Sequence, residues 1–144
     1  MASKGEDNLR VAQSFVDAMA RRDPEALIAL LDEGFVMEAA YPIAPGEDRS
    51  GARRSNFAAS CAFFHSVPKL LAAIRFHNVK WRTTDDGLVM FEANGDMEYP
   101  DGREYSNIYL WLFAFAHGKI TWLKEYFSPV IWARANGRTL EDLP

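Results

Sequence analysis

The spacing of apolar residues divides the chain into a helical first half and a strand-rich second half. From Asn8 onward, Leu9, Ala12, Phe15, Val16 and Met19 recur at helical spacing and predict a first helix. Arg21 and Arg22 fall near its C-terminus, where positive charge is favoured. Asp23 and Pro24 then read as the N-cap and first position of a second helix. Ala26, Leu27, Leu30 and Leu31 form its stripe, and Gly34 its stop. Phe35 to Ala40 is a short strand, and Tyr41 to Gly51, with Pro42, Pro45, Gly46 and Gly51 as breakers, is a loop. A third helix carries Phe57, Cys61 and Phe64 on one face, with Pro68 just beyond its end.

The period then changes to two. Ile74 to Arg82 and Leu88 to Tyr99 are strands joined by Asp85-Asp86-Gly87, a hairpin signal. Pro100-Asp101-Gly102 turns the chain into a long strand, Arg103 to Ala116. His117-Gly118 turns it again into Lys119 to Phe127, and Val130 to Ala135 adds a last helical turn. Short links between successive strands require antiparallel pairing. The expected fold is therefore α+β: a curved antiparallel sheet covered on one face by about three N-terminal helices and enclosing a pocket. The polar stretches 1–7 and 136–144 are expected to be peripheral tails.

Alternation assigns faces. In the long strand Tyr105, Asn107, Tyr109, Trp111, Phe113 and Phe115 point one way, and Ser106, Ile108, Leu110, Leu112, Ala114 and Ala116 the other. Both faces are apolar, so both are expected to be covered. Helices cover one, and the simplest cover for the outer face is a second copy of the chain; the alternative is a monomer with an exposed apolar patch. In the last strand Thr121, Leu123, Glu125 and Phe127 share a face, opposite Ile120, Trp122, Lys124 and Tyr126. A lysine can run its stem over apolar surface and keep its ammonium wet, whereas a glutamate has less reach. That difference puts Lys124 outside and Glu125 in the pocket, where burial raises a carboxyl pKa toward the range useful for proton transfer. Glu92, between Phe91 and Ala93, is a candidate second buried carboxylate; two in one pocket would separate into an acid and a base. His77 shares its strand face with Arg75, Val79 and Trp81 and is a further pocket candidate, against the plainer reading of a surface histidine. His65 ends the third helix, and His117 sits in a turn.

Composition narrows the classes. The chain has 144 residues, 49% of them hydrophobic and 13% aromatic, enough for one cored domain. A net charge of −4 without a concentrated basic patch argues against nucleic acid as a partner. One cysteine allows no intrachain disulfide. The first ten residues lack an apolar leader segment, and the run Ile108 to Ala116 is too short to span a bilayer as a helix, so a soluble cytoplasmic protein without membrane contact is expected. No His, Cys or carboxylate spacing matches a metal site, and neither a phosphate-binding glycine loop nor a nucleophile elbow is present.

Three passages resemble the SnoaL-like branch of the nuclear transport factor two-like superfamily: DPEALIALLDEGFVMEAAYPIAPG, GREYSNIYLWLFAFAHGKI and LKEYFSPVIWARA. The resemblance covers Leu9 to Ala135 and implies a single SnoaL-like domain over the whole chain. It implies a cone-shaped α+β barrel, a deep pocket, a homodimer across the outer sheet face, and acid–base chemistry without a metal or organic cofactor. Such enzymes include ketosteroid isomerases, polyketide cyclases, dehydratases, epoxide hydrolases and phenazine-biosynthesis proteins. Glu125 matches the closing-strand glutamate that resembles the phenazine proteins' acid/base. Their helix-borne histidine has no counterpart near Ala58 to Cys61, and at the position of the isomerase base, near Glu38 to Ala40, only Glu38 is acidic.

Two functions are consistent with these features. One is an isomerase, dehydratase, cyclase or other lyase acting on a mostly apolar, oxygenated small molecule, with Glu125 and Glu92 moving protons. Tyr41, Tyr105, Asn107, Tyr109 and His77 would bind the substrate, and Trp111 and Phe127 would wall it. The other is a non-catalytic module that binds a small molecule or a partner.

Overall fold

The computed structural model describes residues 3–41, 53–139 and 141. Most of the expected loop after Tyr41 and the end of the chain fall outside the described residues. The elements run α1 (Lys4–Ala20), α2 (Pro24–Ala29), β1 (Leu31–Ala39), β2 (Arg53–Ser55), α3 (Phe57–Leu70), β3 (Ala73–Thr83), β4 (Val89–Glu98), β5 (Glu104–Ala116), β6 (Lys119–Phe127) and α4 (Pro129–Ala135).

The first helix starts earlier than its apolar stripe. Ser3 accepts from the Glu6 amide, and the Glu6 carboxylate accepts from the Ser3 amide, so a capping box orders residues expected to be a tail. α2 is shorter than expected and stops at Ala29. Leu31 and Gly34 belong instead to β1, where the register with β6 slips between Leu31 and Val36; Gly34 sits in that irregularity, its amide donating to Asp32 Oδ1 at 2.8 Å. Pro68 lies inside the last turn of α3 rather than beyond it.

The sheet has six strands in the order β2-β1-β6-β5-β4-β3 and is mixed rather than wholly antiparallel. β3 to β6 form the expected meander, with His117 and Gly118 both at positive φ in the tight turn between β5 and β6. β1 pairs parallel to β6, and the three-residue β2 closes the edge antiparallel to β1. The β1–β6 partners are separated by most of the chain, so no turn signal announces their pairing.

The core lies between the sheet and α1 to α3. Phe15 of α1 meets Phe64 of α3, and Trp111 and Phe113 of β5, edge to face at centroid distances of 5.5–6.1 Å. Asn8 donates to the Gly87 carbonyl at 3.0 Å and ties α1 to the β3–β4 hairpin. No helix among the described residues is long and apolar enough to cross a membrane.

Gly95 in β4 makes room for one of the inner tyrosines. A Cβ there would stand 2.6 Å from Tyr109 Cε2 and 3.0 Å from its Cδ2. The Tyr109 ring is buried and packs edge-on to Phe76 and Trp111, so it has little freedom to retreat. Gly95→Ala is expected to cost about 1–3 kcal/mol through overpacking. A urea unfolding midpoint equal to the parent's would show that the ring yields without cost.

Candidate active site

The helix-facing side of β5 carries Tyr105, Asn107, Tyr109, Trp111 and Phe113, all buried, as alternation predicts. β6 lies beside it in register, Tyr109 opposite Phe127, Trp111 opposite Glu125 and Phe113 opposite Leu123. Glu125 therefore stands on the inner face between Leu123 and Phe127, and Lys124 on the outer face.

On β6 Glu125 stands between the buried apolar Leu123 and Phe127. Its nearest polar partner is the Trp111 indole, whose Nε1–H donates to Oε2 at 2.7 Å. The side chain keeps some accessible surface. Desolvation is the largest influence on its carboxyl. Burial pushes the carboxyl up to about 7, opposed in part by the indole hydrogen bond. Among the described residues no neighbouring charge contributes to this rise.

Two phenols line the same face. Burial raises both the Tyr105 and Tyr109 hydroxyls above the ordinary phenol value, so each stays a neutral donor throughout the physiological range. They share a hydrogen bond, and the Tyr105 oxygen also accepts from Asn107 Nδ2 at 2.6 Å. Asn107 is occupied by the protein itself. Its Nδ2 also donates to the Ser128 carbonyl at 3.1 Å, while its Oδ1 accepts from the Ser128 amide at 3.0 Å and the Ile108 amide at 2.8 Å. The expectation that Asn107 binds substrate is corrected accordingly: it pins the start of α4 to β5 and orients Tyr105. Tyr41, just past β1, is partly exposed and meets Tyr126 and Phe127 edge-on at 6.1 and 6.3 Å.

Two other candidates are not on this inner face. Glu92 alternates to the outer face, where its side chain is 45% exposed and pairs with Arg82 at 2.9 Å. It is not the second buried carboxylate expected. His77 is also on the outer face and exposed, its Nδ1 3.1 Å from Asp96 Oδ2. The face expected for His77 fails because β3 is bulged. Asn78 has φ of 53°, and one extra residue separates the His77–Asn94 pair from the Lys80–Glu92 pair. Trp81 is thereby re-aimed inward onto Phe91, at a centroid distance of 4.9 Å. A similar slip at Thr121 in β6 puts Ile120 in the core, although simple alternation places it outside.

Glu38 is 5% exposed but belongs to the outer face. It accepts from Trp122 Nε1 at 3.0 Å and pairs with Arg54 at 2.8 Å, and Lys124 Nζ lies 3.9 Å from it. The sheet separates it from Glu125, so it does not occupy the place of an inner base. An open depression of about 340 Å³ on the same outer face, lined by Val79, Lys80, Glu92 and Ile108, is likewise cut off from Glu125. Among the described residues no group of three or more His, Cys, Asp or Glu side chains could hold a metal ion. The structural ties made by Asn107 carry no periodic signal and were out of reach of alternation.

The family described as SnoaL-like domain matches residues 12–123. No curated protein matches the chain. Among solved structures the chain is similar to a "putative isomerase" from Bacillus subtilis, at 20% identity and a TM-score of 0.79, over 96% of this chain and 98% of that one. It is similar to a "putative polyketide cyclase" from Xanthomonas campestris pv. campestris, at 20% identity and a TM-score of 0.72, over 90% and 96% of the two chains. An NTF2-like protein of unknown function from Burkholderia pseudomallei aligns at 16% identity and a TM-score of 0.70, over 90% and 96%. At these identities the likeness establishes the fold, which is NTF2-like.

Proposed function

The chain belongs to the SnoaL-like domain family, and from that premise we propose that it is a cofactor-independent acid–base enzyme in which Glu125 moves the proton. One observation carries this reading: a carboxyl on the inner face of the sheet, raised to about 7 by burial with no charged group among the described residues contributing. Such a group is present in both forms near neutrality, so it can take a proton from one atom of a ligand and return it to another. The Tyr105 hydroxyl, which accepts from Asn107 and Tyr109, would turn its own proton to a ligand oxygen. Trp111, Phe127 and Tyr109 would offer apolar walls beside Glu125, which suits a mostly apolar, oxygenated small molecule. The reaction is an isomerisation, dehydration, cyclisation or another lyase step; the names of two similar structures carry the words isomerase and polyketide cyclase.

The test does not depend on knowing the substrate. Carbon-13 NMR of the labelled glutamates should show Glu125 titrating with a midpoint near 7. A midpoint at the ordinary carboxylate value of about 4.3 would remove the ground for the reading. Hydrogen–deuterium exchange at the α-carbon of 2-tetralone, an enolisable aromatic ketone, then supplies an activity readout. The protein-catalysed rate should rise with pH to a plateau, with the same midpoint.

A binding-only reading is favoured by a different observation. Among the described residues, no second carboxylate stands on the helix-facing side of β3 to β6 to share the proton. Saturable 2-tetralone binding with no exchange above buffer would favour it.

The partner reading is a homodimer through the outer sheet face. It is supported by Leu110, Leu112, Trp122 and Tyr126, all only half-buried there, and by Ile108 at 54% exposure. Light scattering at micromolar concentration should give twice the 16.3 kDa chain mass; a monomer mass would count against it.

A further inference from the structure

Trp111 does more than fill the core beside Glu125. Its indole N–H donates to Glu125 Oε2 at 2.7 Å, and the two residues are direct cross-strand partners on β5 and β6. The ring cannot swing away. Phe15, Phe76, Phe91 and Phe113 hold it at centroid distances of 5.1–6.4 Å from four sides of the core. An indole N–H is a donor only, so it never competes for the carboxyl proton. Oε2 accepts from it whether the carboxyl is charged or neutral, and because a carbonyl oxygen accepts better than a hydroxyl oxygen, a proton arriving at Glu125 is favoured on Oε1.

We propose that Trp111 is the positioning residue of Glu125: its indole anchors Oε2 and leaves Oε1 as the one oxygen that exchanges protons with the ligand. The proposal rests on the acid–base reading of Glu125. In the step it describes, Oε1 takes a proton from a ligand C–H or O–H, the bonding electron pair stays on the ligand, and the same proton is later returned from Oε1. A further consequence follows from charge. The indole favours the carboxylate over the acid, so it keeps a base available where burial alone would hold the group protonated.

The wild-type protein can be tested directly. In nitrogen-15 spectra the Trp111 indole resonance should move between pH 5 and 9 with the midpoint of Glu125, and should not move in Glu125→Gln. A flat Trp111 resonance while Glu125 titrates overturns the proposal. Trp111→Phe keeps the aromatic volume nearest to the original and removes the donor. In that variant the Glu125 midpoint should rise by about one pH unit or more, the equivalent of one lost charge-assisted hydrogen bond. Exchange into 2-tetralone at pH 7 should fall roughly tenfold or more and recover at higher pH, which a merely disordered core would not do. An unchanged Glu125 midpoint in Trp111→Phe overturns the proposal as well. Full exchange activity in Glu125→Gln overturns the catalytic reading and this proposal with it, whereas a flat indole beside an inactive Glu125→Gln overturns this proposal alone.

Discussion

Glu125→Gln is expected to slow catalysed proton exchange by about a hundred- to ten-thousand-fold while making the folded chain more stable above pH 7. The two effects have one cause. Glutamine matches the shape of glutamate, and its carbonyl oxygen can still accept from the Trp111 indole, so the packing around Leu123 and Phe127 is kept. It cannot take a proton, and the proposed chemistry stops. The carboxyl titrates at about 7 in the folded chain against an ordinary 4.5, so between those values the native state binds more protons than the unfolded state. Stability therefore falls as pH rises through that window and levels off above it, a loss of about 3 kcal/mol from this group. Below the unfolded value both states are protonated and the penalty is absent. The glutamine variant has no such loss. Urea unfolding at pH 5 and pH 8 should show the parent weakening between the two and the variant holding steady. Equal pH dependence in both proteins would mean that Glu125 is not desolvated as described. A gain in stability on removing a functional group is a recurrent mark of sites that evolution has kept for activity.

The second large effect is expected at Asn107. Asn107→Leu keeps the volume and removes both ends of the amide. The Ser128 amide then loses its acceptor at 3.0 Å, the Ser128 carbonyl keeps only the Trp132 amide at 3.1 Å, and the Tyr105 hydroxyl loses a donor at 2.6 Å. Leaving one part-buried backbone amide unsatisfied costs about 1–3 kcal/mol. The damage should be local to the junction of β6, α4 and β5. Amide hydrogen exchange should therefore accelerate in α4 more than in α1. Uniform acceleration across the domain would indicate a different cause of destabilisation, and no change in the urea midpoint would show that the amide is dispensable.

Local rules placed much of the site. The two-residue period of β5 set Tyr105, Tyr109 and Trp111 on one face, and the contrast in reach between glutamate and lysine sorted Glu125 from Lys124. The same rules failed where one extra residue enters a strand. A bulge leaves the apolar pattern ambiguous by one position, and one position exchanges the faces of everything that follows. That is how His77 and Trp81 parted company and how Ile120 entered the core. Glu92 needed no bulge to be misplaced: its face was legible, but the apolar residues beside it in sequence lie on the other side of the sheet. The capping box at Ser3 and Glu6 was readable and would have extended α1 by a turn.

By itself, then, the order of periods in this sequence determined a helical layer before an antiparallel meander, the inner face of β5, and a carboxylate beside it on β6. These are local matters, settled by turn chemistry and alternation within a few residues. The tertiary structure alone decided the rest: the parallel seating of β1 on β6, the commitment of Asn107 to Ser128, the burial of Glu38 on the far side of the sheet, and the indole that holds Glu125. Each depends on contacts between residues far apart in the chain or across strands whose register is set by packing. The energy of a buried carboxyl depends on every atom around it, and those atoms come together only in the folded state.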